Sequence, residues 1–432
     1  MSAFNQQQLK LIEALFDEAL ETKPEDLDSW LLSKCPSDDA LRTHLRKLII
    51  ASDALRTADL RGKVAPFDAE ELKIESSKIG DRIGPYTLIE PLGKGGFGVV
   101  WLAERREPMV QRVALKIMKT AQSSPAKLAL FEQERQALAM MDHPNIAKIL
   151  DGGVTPEGQP YFVMEFVNGE PITDFADRRT LTIRQRLQLF VQVCEAFQHA
   201  HSRGIIHRDI KPPNILVALT DEHVATDKDS VQGLRVKVID FGLVKATGQD
   251  LHGKSVVIED GRIVGTPAYM SPEQAAGQIS AISTLSDVYS LGVLLYELLA
   301  GVLPFDQESL ESMARREILR IIREVPAPNP STKLSSVDEQ RAAYIANARQ
   351  CARGRLSEDL RRELEWIPLK ALRKEPDRRY ASAASLAADV RRYLEGAALE
   401  AAPDSRGYAT RKFIGRHRLQ FAAGISIVML LI

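Results

Sequence analysis

The chain has 432 residues, of which 44% are hydrophobic and 27% charged. That balance excludes a chain dominated by disorder, collagen repeats or low complexity, and the length suggests about two or three domains. With 57 Lys and Arg against 58 Asp and Glu the net charge is −1, so no global field draws in nucleic acid or an acidic substrate. Cys35, Cys194 and Cys351 lie far apart; that spacing argues against a disulfide framework or a structural zinc site and fits a reducing compartment.

Residues 1–55 read as a small helical region. Leu9, Ile12, Leu15, Phe16 and Leu20 share one helical face. Pro24 with Glu25 and Asp26 suits a second helix start, whose apolar side is Leu27, Trp30 and Leu31. Leu41, Leu45, Leu48, Ile49 and Leu55 mark a third. The acidic, amphipathic N-terminus is not a secretory signal. Residues 56–80 read as a polar linker.

From Tyr86 the pattern changes. Strands are expected at 86–89, 99–102, 112–117 and 161–164, with a helix at 127–141. Beyond about residue 170 the chain turns helical, at 182–203, 286–300, 307–324, 358–374 and 382–396. A β-rich first lobe followed by an α-rich second lobe argues an α+β fold. Residues 326–356 read as a long surface insertion and 218–235 as an acidic surface excursion. Leu419 to Ile432 is uncharged and follows Arg411, Lys412, Arg416, His417 and Arg418. It is short for a span, and its basic flank makes it the expected start of a transmembrane helix, with a buried or peripheral C-terminal helix as the alternative.

Chemistry concentrates in four places. Gly93-Lys94-Gly95-Gly96-Phe97-Gly98 lies between two expected strands. Glycines let backbone amides approach phosphate oxygens, and a strand rather than a helix after them disfavours dinucleotide binding. Lys116, on the third strand, can neutralise phosphates, and Glu134 on the next helix can hold it by an ion pair. His207-Arg208-Asp209-Ile210-Lys211-Pro212-Pro213-Asn214 brings a carboxylate, an ammonium and an amide into one loop. Asp209 can take or orient a hydroxyl proton, Lys211 can steady a phosphoryl group and Asn214 can ligate Mg²⁺. Asp240, opening Asp240-Phe241-Gly242 at a strand end, is a second hard-cation ligand.

These motifs, with VALK around Lys116 and GTPAYMSPE at 265–273, resemble in order the eukaryotic-type protein kinase signature set. The resemblance covers about residues 80–397. Within it the chain looks most like bacterial serine/threonine kinases of the transmembrane receptor-like type. It implies a bilobal protein kinase fold over 81–397, with lobes at 81–167 and 168–397, then a basic juxtamembrane segment at 398–418.

The resemblance further implies that Leu92, Gly93, Lys94, Gly95, Gly96, Phe97, Gly98, Val99 and Val100 cover ATP. Lys116 contacts its phosphates and Glu134 pairs with Lys116. Met164 is the gatekeeper before a hinge, Glu165-Phe166-Val167, that binds adenine. Asp209 is the catalytic base, Lys211 steadies phosphate, and Asn214 and Asp240 hold Mg²⁺. Glu273 pairs with Arg379, and Asp287 braces the catalytic loop. Lys211 and Thr266 favour Ser/Thr over Tyr substrates. Thr247 and Ser255 are candidate activation-loop autophosphorylation sites, which calls for a transient homodimer. Pro213 is a departure that could reshape the Mg²⁺ site. His199 and His201 read as helix-surface residues. The implied function is Mg²⁺-dependent transfer of the ATP γ-phosphoryl group to protein Ser/Thr hydroxyls, with a cytoplasmic kinase domain. The alternative is a pseudokinase scaffold.

Overall fold

The computed structural model describes residues 27–34, 77–95, 98–118, 141–156, 158–220, 231–241, 257–259, 262–264, 267–311, 313–403, 407, 408, 410 and 412. The chain divides into two compact units, Met1–Glu75 and Ser76–Ile432. In the first, helix α1 (Leu27–Lys34) falls where Leu27, Trp30 and Leu31 placed the second helix. The other two expected helices, residues 127–140 of the 127–141 helix and residues 419–432 lie outside the described residues.

The second unit opens with a six-stranded antiparallel sheet of β1 (Arg82–Ile83), β2 (Tyr86–Gly95), β3 (Gly98–Arg105), β4 (Gln111–Met118), β5 (Ile149–Val154) and β6 (Pro160–Glu165), in the order β1-β2-β3-β4-β6-β5. Period-two alternation sorts its side chains to two faces. Val113, Leu115 and Ile117 of β4 join Tyr161 and Val163 of β6 in a small core with Tyr86, Leu88 and Trp101. Ala114 and Met118, with Phe162 and Met164, join the large core instead. Lys116 has the parity of Ala114, so its strand position assigns it to the second face. β2 runs past its expected end through two register shifts, at Leu88/Glu90 and Pro91/Gly93, which accommodate Pro91. The edge strand β5 was not expected, because Asp151-Gly152-Gly153 carries no alternation. Gly98, at φ +151°, must be glycine: a Cβ there would collide with the Ile117 carbonyl.

The larger lobe holds a small sheet, β7 (Glu170–Pro171), β8 (Ile215–Leu219) and β9 (Leu234–Val238), and a hairpin, β10 (Val257–Glu259) and β11 (Arg262–Val264). Its early helices are α2 (Ile172–Arg178), α3 (Ile183–His201), α4 (Pro272–Ala275) and α5 (Thr284–Ala300). They are followed by α6 (Gln307–Glu311), α7 (Arg315–Glu324), α8 (Pro330–Ser335), α9 (Glu339–Ala348), α10 (Arg353–Asp359), α11 (Trp366–Ala371) and α12 (Ala383–Leu394). A capping box of Thr182 and Gln185 starts α3, and Ser283 with Ser286 starts α5. Helix α5 is buried almost all round, as the centre of a lobe requires, and stops at Gly301 in a left-handed conformation at φ +69°.

Residues 326–356 are a correction: they are not a surface insertion. They contain α8 and α9, and Arg349 after them is 1% exposed. Its guanidinium donates to the carbonyls of Leu299 (2.7 Å) and Leu298 (3.0 Å), orphan acceptors of the α5 backbone at its C-terminus, and to that of Glu297 (3.3 Å), which also accepts from Gly301 N. Asp177 lies between it and the equally buried Arg186, 3.5 and 2.7 Å away. The expected 358–374 helix begins earlier and is interrupted by a π turn at Leu360–Leu364. Buried Glu365, after that turn, accepts from Ser331 Oγ at 2.6 Å and Ser331 N at 3.2 Å, capping α8.

Past α12 the chain stays on the lobe. Leu399 is buried in its core. The fully buried Asp389 accepts from Glu400 N (2.6 Å), Ala401 N (2.9 Å) and Tyr380 Oη (2.7 Å). Tyr408 Oη donates to Glu363 at 2.7 Å and its ring meets Trp366 edge-on at 5.5 Å. Among the described residues no helix is long and apolar enough to cross a membrane.

Candidate active site

Asp287, near the start of α5, organises the loop from 202 to 214. Its carboxylate accepts the amides of His207 (2.8 Å) and Arg208 (2.9 Å), and His201 Nε2 lies 2.8 Å from it. This bears out the bracing role of Asp287 and corrects His201, whose side chain is only 5% exposed and is a loop support. His199 is half-buried as well, its ring 4.9 Å from that of His143. The His207 ring continues the brace: Asp209 N donates to its Nδ1 at 3.2 Å, and its Nε2 faces the Ile239 carbonyl at 3.1 Å. That pattern calls for the Nε2–H tautomer. Gln274 Nε2 donates to the Arg208 carbonyl at 2.8 Å. Arg208 at φ +70° and Asp240 at φ +62° are left-handed, a conformation that costs energy outside glycine and that clusters at functional sites.

The chemistry-bearing residues fall into two hydrogen-bonded sets. In one, Lys211 Nζ lies 2.9 Å from Asp209 Oδ2, and Asn214 Nδ2 donates to Asp209 Oδ2 (3.1 Å) and to its carbonyl (2.7 Å). Burial works to raise the Asp209 pKa, but the charge and hydrogen bond of Lys211, with His207 and Asn214, outweigh it and hold the carboxyl below its ordinary value. In the other set, Lys116 Nζ meets Asp240 Oδ2 at 2.7 Å. The two sets are tied by the main chain, Ile239 N donating to the Asn214 carbonyl at 2.9 Å. Phe241 packs against His207 and Phe197, with ring centroids 4.8 and 5.2 Å away. Pro213 sits inside a 3-10 turn, Pro212–Asn214, that keeps Asn214 on Asp209.

Gly93 and Lys94 are exposed, Leu92 is 43% exposed, and Val99 and Val100 are half-buried on the β2–β3 hairpin. Met164 is buried, and Glu165 opens the connection to Val167. Glu134, Gly96, Phe97, Gly242, Thr247, Ser255 and Thr266 lie outside the described residues. The expected Glu273–Arg379 pair is present, bidentate at 2.8 and 2.9 Å and buried. The sequence assigned no role to His207, Gln274 or Lys237. His207 stood in the loop motif, and Gln274 carried a signal in the S-x-x-Q capping box that it forms with Ser271.

The 267–273 stretch is moored to α5: Ser290 Oγ donates to the Tyr269 carbonyl at 2.8 Å, and Tyr269 Oη donates to Glu297. Burial first, with Asp177 and Asp174, pushes the Glu297 carboxyl up to about 7 against the Tyr269 hydrogen bond and Arg349. A carboxyl raised this way is protonated in the fold and ionised in the unfolded chain between its ordinary 4.5 and about 7. Its contribution to stability therefore falls as pH rises through that window. Glu297→Gln is expected to remove this slope in urea midpoints measured from pH 5 to 8; a constant offset from wild type at every pH would contradict it.

Among the described residues no three His, Cys, Asp or Glu cluster as a metal cage. Magnesium does not need one, since it is held by one or two protein oxygens plus substrate phosphates. Asn214, with its NH₂ committed to Asp209, and Asp240 supply that hard-oxygen set, so the residues fit the ion.

A β lobe above an α lobe, a phosphate-type lysine on one and an aspartate–lysine–asparagine loop on the other, define the class of two-lobed phosphotransferases. The chain belongs to the protein kinase family: residues 86–389 match the model described as "Protein kinase domain". It is 34% identical over 331 residues to the serine/threonine-protein kinase Pkn1 of Myxococcus xanthus, covering 76% of this chain and 41% of that protein. It is 35% identical over 331 residues to the serine/threonine-protein kinase PknB of Mycobacterium tuberculosis, covering 75% and 45%. The chain thus spans less than half the length of these curated relatives. A crystal structure of the Mycobacterium tuberculosis PknI kinase domain, in double-mutant form, shares the fold with a TM-score of 0.50 at 21% identity, covering 74% of this chain and 99% of that one. Protein kinases of this family use ATP with Mg²⁺.

Proposed function

We propose that the chain is a serine/threonine protein kinase that transfers the γ-phosphoryl group of ATP to protein hydroxyls. The observation that carries this reading is the Asp209–Lys211–Asn214 set tied through the main chain to Lys116–Asp240. Asp209 orients the attacking hydroxyl and accepts its proton. Its depressed pKa keeps it ionised at neutral pH. Lys211 sits on the same carboxylate oxygen and steadies charge on the group in transfer. Lys116 exchanges Asp240 for nucleotide phosphates. Asn214 and Asp240 would hold Mg²⁺, which when bound neutralises phosphate charge. Position and electrostatics do the work, with no covalent intermediate.

The reading takes 81–397 as the kinase domain, Glu165 and Val167 as the adenine-binding hinge, and the glycine hairpin as the cover. Lys211 and the likeness to serine/threonine-protein kinases support Ser/Thr substrates. The apolar stretch from Leu419 with its basic flank supports anchoring at the cell membrane with the kinase domain on the cytoplasmic side. Autophosphorylation at Thr247 or Ser255 belongs to the same proposal and would call for a transient homodimer. A scaffold without activity would have no use for the full set of Lys116, Asp209, Asn214 and Asp240.

The test is incubation of the full chain with γ-labelled ATP and Mg²⁺ and a generic basic protein, followed by phosphoamino-acid analysis. Label on serine and threonine, lost when EDTA removes the metal, is expected. Nucleotide binding with no transfer would favour the scaffold, and label confined to tyrosine would overturn the substrate class.

A further inference from the structure

Lys237 stands on β9, three positions before Asp240. By sequence it is one more strand lysine, and such residues usually face solvent. Here its side chain is 11% exposed and its ammonium group lies 2.8 Å from Glu165 Oε2 and 3.5 Å from the Ile146 carbonyl. Glu165 is the last residue of β6, where the small lobe hands over to the hinge.

Between these two residues runs the segment 145–148, bonded to both sides. On the β9 side, Val238 N donates to the Asn145 carbonyl (2.8 Å) and Ala147 N to the Val238 carbonyl (2.9 Å). Asn145 Nδ2 reaches the Val236 carbonyl at 2.8 Å and Gln192 of α3 at 3.1 Å. On the hinge side, Glu165 N donates to the Lys148 carbonyl (2.8 Å), and Lys148 N approaches Glu165 Oε2 at 3.3 Å. The Lys148 ammonium group is committed to Asp142 at 2.8 Å. Lys237 therefore spans the intervening segment and joins the outer two layers directly.

We propose that Lys237 is a positioning residue: its ion pair with Glu165 sets the spacing between the adenine-binding hinge and Asp240 at the phosphate end of the site. This rests on the nucleotide-site reading above. A nucleotide held by its base at the hinge and by its phosphates at Lys116 and Asp240 binds at two points on one molecule. The second contact gains from the first only while their separation matches the ligand. Losing the brace then penalises the whole nucleotide more than the nucleoside, which engages one end only.

The full chain, Lys237→Met and the charge swap Lys237→Glu with Glu165→Lys are titrated calorimetrically with MgADP and with adenosine. Lys237→Met is expected to weaken MgADP about tenfold while adenosine changes less than about threefold, and to raise KM for ATP with kcat near wild type. The swap keeps two long stems and an ion pair, so recovery of MgADP affinity separates positioning from a packing defect. Unchanged MgADP binding in Lys237→Met, an equal loss for adenosine, or no recovery in the swap overturns the proposal. A wild-type chain that binds neither molecule overturns the nucleotide-site reading itself, which is a distinct failure.

Discussion

Asp209→Asn is expected to lower phosphoryl transfer by about 10²–10⁴-fold, the range for loss of a positioned general base. MgADP binding should stay near wild type. The amide keeps the shape of the side chain and can still accept from Lys211 and Asn214, which lie 2.9 and 3.1 Å from Asp209 Oδ2. The loop is held independently of it, by Asp287 on the amides of His207 and Arg208 and by Gln274 on the Arg208 carbonyl. What disappears is the negative charge that receives the hydroxyl proton. Because the wild-type carboxyl lies below its ordinary pKa, the acid limb of the rate profile belongs below the usual carboxylate range. Initial rates with γ-labelled ATP from pH 5 to 8 check the first point, and an acid limb inside that range would contradict the second. Activity in the variant within threefold of wild type would remove Asp209 from the role of base.

The second large effect is on stability. Arg379→Leu is expected to cost about 3–5 kcal/mol, the penalty for stripping one partner from a buried ion pair. The Arg379 side chain is 0% exposed and that of Glu273 5%. Besides its bidentate grip on Glu273, Arg379 donates to the carbonyls of Arg373 (2.7 Å), Leu285 (2.7 Å) and Lys374 (2.9 Å), so one side chain joins α4, α5 and the turn after α11. Burial raises the Glu273 pKa, but Arg379 outweighs it and holds the carboxyl below its ordinary value. Its contribution is present above the unfolded carboxylate pKa and fades as pH falls through the folded one. Urea unfolding at pH 7 measures the loss. A cost under about 1 kcal/mol would make the pair no better than a surface bridge.

Residues whose chemistry dictates their type were legible from the sequence alone. Lys116, Asp209, Lys211, Asn214 and Asp240 had to be those residues at that spacing, and the structure brings them into two contacting sets. Glu273, Arg379 and Asp287 followed from the same pattern. What escaped was polar side chains used inward. The 326–356 stretch looked solvated because its composition is polar, yet Arg349 turns in to satisfy the end of α5. His201 and Lys237 are likewise ordinary by position and become structural only through partners distant in sequence, Asp287 and Glu165. The strand at 149–154 was hidden for another reason: an edge strand pairs through its backbone on one side and needs no side-chain period.

Asp389 marks where the family match stops, at residue 389. Two of the donors to its carboxylate, the amides of Glu400 and Ala401, belong to residues beyond that limit, while Tyr380 Oη lies within it. What is inherited as a recognisable module is therefore shorter than what is physically complete. A chain cut at the module's edge would lose both of those backbone donors together with the end of α12. The apparent tail is better regarded as the lobe's last course of masonry, and a catalytic fragment of this protein should be cut after it.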